Sequence, residues 1–124
     1  MPKVTVISIV DDDECVRDAT NCLVRSLGYN TVSFASAEDF LASERLHDTD
    51  CLITDVQMPG MSGVELHSRL LADGHRTPVI FITAFPDEAI RDQVLELGAC
   101  GFLSKPFKEE SLVKCLDAAL RRRQ

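Results

Sequence analysis

The sequence lacks the features of secreted, membrane-spanning and cysteine-stabilised proteins. Its five cysteines are odd in number and form no Cys-x-x-Cys pair, so we predict reduced thiols rather than disulfides or a zinc site. The first residues, Met1 to Val4, lack the apolar stretch of a signal peptide, and no apolar run approaches transmembrane length. We therefore expect a soluble cytoplasmic domain that does not contact the membrane.

Basic residues are scarce relative to acidic ones. The 13 Lys and Arg against 20 Asp and Glu give a net charge of −7, which argues against direct nucleic-acid binding by this domain. The basic triplet Arg121 to Arg123 is interpreted as a cationic last turn that stabilises a helix dipole. A chain of 124 residues predicts one domain over 1–124, large enough to bury a core without disulfides or structural metal.

Short apolar runs alternate five times with segments of helical periodicity. The predicted strands cover residues 4–10, 30–34, 51–54, 79–82 and 101–103. Short connections between strand and helix favour a parallel α/β sheet covered by helices on both faces, with flavodoxin-like strand order 2-1-3-4-5. In the third helix we expect Val64, Leu66, Leu70 and Leu71 to form the buried side. The three histidines, His47, His67 and His75, show no metal-ligand spacing and are assigned to polar helix faces or loops.

Polar residues follow four of these strands, at the edge where α/β sheets bind ligands. Asp11 and Asp12 follow the first strand and Asp55 ends the third, so their carboxylates should converge and require a cation. An oxygen-preferring divalent ion, Mg²⁺ above all, satisfies that requirement. We assign Asp11 and Asp12 to the metal and Asp55 to nucleophilic attack on phosphorus.

Two further residues, Lys105 and Thr83, complete this predicted site. Lys105, before Pro106, is expected to pair with Asp55 and later with its phosphate. Thr83 either satisfies a helix N-terminus or bonds a phosphoryl oxygen. Asp13 is predicted to cap the first helix.

Two other classes of protein use a similar sheet. An aspartyl-phosphate hydrolase would place a titratable aspartate two residues after the nucleophile, where this chain has Gln57. A flavin or nucleotide module would need a Gly- or Ser/Thr-rich loop after the first strand, where this chain has acidic residues. Both alternatives are therefore disfavoured.

The ordered motifs resemble the receiver domain of bacterial response regulators. They are Asp11-Asp12, Asp55 to Gly60, Thr83-Ala84 and Lys105-Pro106-Phe107, and the resemblance covers essentially the whole chain. The residues around Asp11-Asp12 and Lys105-Pro106 most resemble those of the nitrogen-fixation regulator subfamily. Members of that subfamily usually carry a helix-turn-helix DNA-binding domain behind the receiver.

The resemblance implies a chemistry for the site. Asp55 would accept a phosphoryl group from a sensor histidine kinase or a histidine phosphotransfer domain. Mg²⁺, or Mn²⁺ in its place, would be held by Asp12, Asp55 and the backbone carbonyl of Gln57, with Asp11 acting through water. The domain would catalyse only its own phosphorylation and dephosphorylation and would not be an enzyme for external substrates.

The resemblance also implies a switch. Thr83 and Lys105 would contact the phosphate, and Phe102 would move by packing alone because it has no hydroxyl. Gln57 and Phe85 would tune the phosphoryl lifetime, and apolar Phe85 predicts slow self-dephosphorylation.

Two macromolecular contacts are implied as well. Phosphorylation would promote a homodimer through helix 4, strand 5 and helix 5. The kinase would dock near helix 1 and the loop after Lys105, with Arg17, Phe107 and Lys108 as contacts. The chain is either a stand-alone receiver, acting in phosphorelay or partner docking, or the receiver of a transcription factor whose DNA-binding domain lies outside it; we favour the second.

Overall fold

The structure, a computed structural model, describes residues 5–105 and 107–123, without the side chains of residues 122 and 123. Strands and helices alternate from the first strand to the last helix. The strands are β1 Val6–Val10, β2 Asn30–Phe34, β3 Cys51–Asp55, β4 Val79–Thr83 and β5 Gly101–Ser104. The α-helices are α1 Glu14–Ser26, α2 Ala37–Ala42, α3 Gly63–Ala72, α4 Glu88–Glu96 and α5 Glu109–Arg123. A 3₁₀ turn over Glu44–Leu46, which the sequence analysis did not predict, precedes β3.

All strand pairs are parallel, and the sheet order β2-β1-β3-β4-β5 confirms the predicted topology. The register places Val10 beside Thr54 and Thr83 beside Ser104. Asp11 and Asp55, each one residue further along its strand, therefore lie next to each other at the carboxyl edge of the sheet.

Each face of the sheet carries its own hydrophobic core. β-Branched and aromatic side chains point alternately to the two faces, so the central strands are apolar throughout. One core packs α2, α3 and α4 around Phe81, and the other packs α1 and α5 around Ile53. The sheet edge that carries the predicted site is thereby held between two packed layers of helices.

Polar caps fix where four helices begin. Asp13 accepts hydrogen bonds from the amides of Cys15 and Val16, which confirms its predicted role at the start of α1. Ser36, Ser62 and Asp87 cap α2, α3 and α4 in the same way. Because Asp87 caps α4, the Thr83 hydroxyl is not needed for that purpose.

Two predictions about α3 are wrong. Leu71, expected on the buried side, is 41% exposed, whereas His67, assigned to a polar face or loop, is 3% exposed. The His67 ring packs edge-on against Phe81 with 5.6 Å between ring centroids. In the observed helix the buried side consists of Gly63, Leu66, His67 and Leu70. His67, packed against the ring of Phe81, therefore takes the buried position that was predicted for Leu71.

Candidate functional site: an acidic cluster at the carboxyl edge of the sheet

Three carboxylates gather where β1 and β3 end. Asp11, Asp12 and Asp55 each offer one oxygen, and these oxygens lie within 4.8 Å of one another. Asp11 is fully buried and Asp55 is 7% exposed, whereas Asp12 is exposed to solvent. The predicted convergence of these carboxylates is therefore present in the structure.

Backbone hydrogen bonds hold the two buried carboxylates in place. Asp11 Oδ1 accepts a hydrogen bond from the Asp13 amide at 2.9 Å, and Asp55 Oδ1 accepts one from the Gln57 amide at 3.3 Å. The Arg17 guanidinium donates to the carbonyl of Asp11 at 2.8 Å, which ties α1 to this strand end. Oδ2 of each carboxylate is thereby left facing the crevice.

Lys105 bridges the carboxylates of Asp11 and Asp55. Its ammonium Nζ lies 3.0 Å from Oδ2 of Asp11 and 3.0 Å from Oδ2 of Asp55. Its backbone amide donates to the Thr83 carbonyl at 2.7 Å, so β5 pairing with β4 sets the position from which the side chain reaches inward. The sequence predicted the pair with Asp55 but not the pair with Asp11.

The burial of these charges perturbs their protonation. Burial raises the pKa of the Asp11 carboxyl, and this effect exceeds the opposing hydrogen bonds from Asp13 and Lys105. For Lys105, burial lowers the pKa, but hydrogen bonds to Asp55 and Asp11 and their negative charge outweigh it, so the pKa is raised overall. One ammonium thus pairs with two of the three clustered carboxylates, and the site has an excess of negative charge.

The donor set fits a hard divalent cation. Mg²⁺ binds carboxylate and carbonyl oxygens and usually keeps several waters, and exposed Asp12 leaves an open side for those waters. The excess of carboxylates over ammonium supplies the electrostatic attraction that such an ion needs. Gln57 is exposed beside the cluster.

The remaining predicted residues lie around this cluster with different exposures. Thr83 is 1% exposed, and its hydroxyl oxygen accepts a hydrogen bond from the Phe85 amide at 3.1 Å. Phe85 itself is 70% exposed, and Phe102 on β5 is half-buried against the core that includes Phe81. Thr83 therefore stands at the end of β4 with its oxygen already engaged.

A groove opens beside Lys105. The sequence predicted a docking region here but not a cavity. The groove has a volume of about 570 Å³ and runs along α1 to the segment after β5. Its lining is largely apolar: Asp13, Cys15, Val16, Ala19, Thr20, Leu23, Ala84, Lys105 and Phe107. Of the expected kinase contacts, Phe107 lines this groove, while Arg17 and Lys108 are not part of its lining.

Within the part of the chain that the structure describes, no helix has the length and apolarity needed to cross a membrane.

Known proteins resemble this chain along nearly all of its length. The family model "Response regulator receiver domain" matches residues 7–117. The response regulator protein TodT of Pseudomonas putida is 40% identical over 119 residues, which cover 96% of this chain and 52% of TodT. The transcriptional regulatory protein FixJ of Bradyrhizobium diazoefficiens is 34% identical over 93% of this chain and 56% of its own length.

A solved structure supports the same assignment. The crystal structure of FixJ-N has a TM-score of 0.86 and 32% identity, and the match covers 97% of this chain and 96% of that one. This chain spans about half the length of the curated relatives it matches. By its sequence and its fold, the chain belongs to the response regulator receiver domain family.

Proposed function

We propose that this receiver accepts a phosphoryl group on Asp55 from the phosphohistidine of a sensor kinase or phosphotransfer domain. The observation that carries the proposal is the contact of Lys105 Nζ with both Asp55 and Asp11 at 3.0 Å, beside exposed Asp12. This arrangement combines a nucleophilic carboxylate, a fixed cation and a set of oxygen ligands in one crevice.

The chemistry follows from these positions. A carboxylate oxygen of Asp55 forms a bond to phosphorus as the phosphorus–nitrogen bond of the donor breaks, and the imidazole leaves with that electron pair. The Lys105 ammonium then pairs with a phosphoryl oxygen. Mg²⁺, or Mn²⁺, held by Asp12, Asp55 and the carbonyl of Gln57, with Asp11 acting through water, would neutralise charge on the transferring oxygens.

The groove along α1 is the surface on which we expect the donor to dock. Its apolar lining and its position beside Lys105 suit an amphipathic helix that carries the phosphohistidine. Arg17 and Lys108 would contribute polar contacts at its margin. A donor seated there would present phosphorus to Asp55 without rearrangement of the sheet.

The consequence of phosphorylation would be a change in the surface formed by α4, β5 and α5. A phosphoryl group adds negative charge and acceptor oxygens near the Thr83 hydroxyl, which now accepts from the Phe85 amide and would turn to donate a hydrogen bond to a phosphoryl oxygen. Phe102 would then repack, and the changed surface would form a homodimer that controls transcription through a DNA-binding domain outside this chain.

The proposal is tested by intact mass after incubation with acetyl phosphate, with and without Mg²⁺. We expect wild type to gain one phosphoryl group only with Mg²⁺ and Asp55→Asn to gain none. Asp87→Asn is the matched control, because it changes an exposed carboxylate in the same layer of loops and retains a good helix cap. Labelling of Asp55→Asn to the wild-type level would overturn the assignment.

A further inference from the structure

The structure brings two distant histidines into contact at the amino edge of the sheet, opposite the acidic cluster. His47 follows the 3₁₀ turn before β3, and His75 follows α3. Their ring centroids are 5.6 Å apart, with 55° between the ring planes. No sequence motif relates the two residues, because each lies in a different loop: His47 after the 3₁₀ turn and His75 after α3.

We propose that His47 and His75 together bind a transition-metal ion of the Zn²⁺ class. Two imidazoles on one tetrahedral Zn²⁺, with Zn–N of about 2 Å, place their ring centroids about 5 Å apart. The observed separation of 5.6 Å is close to that value. Neutral imidazole suits Zn²⁺, Cu²⁺ and Ni²⁺, whereas Mg²⁺ prefers oxygen, so this site and the acidic cluster would select different ions.

The backbones that carry both rings are well fixed. The His75 amide donates to the Leu70 carbonyl at 2.9 Å, and Gly74, with φ of +83°, completes a helix-ending turn. On the other side, Thr49 donates to the Arg45 carbonyl at 2.8 Å, and Asp50 accepts from the Val6 amide at 2.9 Å. Little conformational entropy would therefore be lost from the backbone when an ion binds.

Two of the three arginines near these histidines in the sequence pair with carboxylates. Arg45 lies 4.0 Å from Asp48, and Arg69 lies 3.4 Å from Asp73, so each of these arginines faces a carboxylate. Arg76, next to His75, adds one positive charge that opposes a cation, so the affinity of the site must come from the imidazole nitrogens and not from local charge.

The histidine pair supplies two ligands, and solvent would supply the others. Among the residues that the structure describes, the one group of three or more His, Cys, Asp or Glu ligands within reach of a common ion is the acidic cluster. His47 is exposed and His75 is half-buried, so water can complete the coordination. We therefore expect a labile, reversible site rather than a closed structural one.

The test is titration of ¹⁵N-histidine-labelled protein with ZnCl₂ at pH 7.5, read from the ring resonances. We expect the signals of His47 and His75 to shift together, while those of His67, buried in the core, stay in place. His47→Gln should weaken the Zn²⁺ response of His75 at least tenfold, and His75→Gln should do the same to His47.

Two controls separate this site from the acidic cluster. Asp12→Asn should leave the histidine response to Zn²⁺ unchanged, and MgCl₂ should not produce that response. An unshifted pair in wild type, or an undiminished response of the remaining histidine in both single variants, would overturn the proposal. The result does not depend on phosphorylation, so failure of this proposal leaves the proposed function untouched.

Discussion

At the residue scale, the central feature is one lysine shared between two buried carboxylates. Asp11 is fully buried, and the nearby charge of Lys105 is divided between Asp11 and Asp55. Removing an ion from water is costly, and a single ammonium compensates two carboxylates incompletely. The buried charges therefore lower folding stability, and in the proposed function the same charges hold the cation and pair with the phosphoryl group.

This cost makes the stability of the metal-free protein depend on the ionisation of Asp11. Because its pKa is raised in the folded state, the stabilising contribution of Asp11 is present at low pH and is lost as pH rises through the folded pKa. Asp11→Asn cannot ionise, so in EDTA we expect it to unfold at higher urea than wild type at pH 7.5. The difference should shrink as the pH falls toward the ordinary aspartate pKa of about 3.9.

Urea titrations at several pH values measure that difference. Asp18→Asn, at an exposed position of α1, reports the general effect of one negative charge fewer. An Asp11→Asn variant less stable than wild type at pH 7.5, or a difference that grows on acidification, would contradict the prediction.

The exposed aromatic at the mouth of the site leads to a prediction about phosphoryl lifetime. The Phe85 side chain is 70% exposed and has no group that can orient an attacking water. We expect slow loss of the phosphoryl group and faster loss in Phe85→Asn, whose amide can hold a water beside the acyl phosphate. The decay of the phosphorylated mass after removal of the donor measures both rates, and a wild-type lifetime of only seconds would contradict the prediction.

Residue contacts were predictable where strand geometry fixes them and unpredictable where loops do. Asp11 and Asp55 could be paired from sequence because adjacent parallel strands end at one edge. The second partner of Lys105 depends on how far an unbranched side chain reaches, which no periodicity encodes. The contact between His47 and His75 depends on two loop conformations, and it was missed for that reason.

At the element scale, Gly63 determines how closely α3 approaches β3. A Cβ at this position would lie 2.0 Å from the Asp55 carbonyl oxygen, a backbone atom that cannot move independently of its strand. We expect Gly63→Ala to lose at least about 1–3 kcal/mol of unfolding free energy, as overpacked sites do, and to phosphorylate poorly because Asp55 is displaced.

Gly28 offers the matched control for that substitution. It lies after α1 with φ of +98° and has nothing within 4 Å of its ideal Cβ. Gly28→Ala should therefore cost about 1–2 kcal/mol through left-handed backbone strain alone and leave phosphorylation intact. Equal effects of the two substitutions in urea denaturation and acetyl phosphate labelling would show that Gly63 is not a steric requirement.

In the proposed function, the end of β4 connects the site to the surface of α4, β5 and α5. Thr83→Ala removes the acceptor of the Phe85 amide, so we expect a loss of about 0.5–1.5 kcal/mol of stability. The variant should still accept phosphate but should no longer dimerise on phosphorylation, as sedimentation velocity would show. Thr83→Ser keeps the hydroxyl and should restore dimerisation, whereas normal dimerisation of Thr83→Ala would limit Thr83 to holding the Phe85 amide.

At the scale of the whole molecule, the strict alternation of strand and helix made the topology predictable. The buried strands are apolar at nearly every position, whereas each helix is apolar on one side only. The type of each element could therefore be predicted from the periodicity of its apolar residues. The exchange of Leu71 for His67 on the buried side of α3 could not be foreseen, because the shape of the facing core, here the ring of Phe81, decides it.

The buried thiol of Cys51 in the central strand can report whether the domain unfolds cooperatively. Cys51 in β3 is fully buried, and burial raises the pKa of its thiol, whereas Cys15 and Cys22 on α1 are exposed. We expect iodoacetamide to alkylate Cys15 and Cys22 rapidly and Cys51 only through global unfolding, because the core that buries Cys51 joins α1 and α5 to the central strands and must open to expose it.

Peptide mass spectrometry along a series of low urea concentrations distinguishes global from local opening. The alkylation rate of Cys51 should rise with urea along the slope of the global unfolding transition, because that slope reports the surface exposed. The rate at Cys22 should barely change, which makes it the internal control. If Cys51 reacted as fast as Cys22, or with no dependence on urea, the core around Cys51 would open without global unfolding.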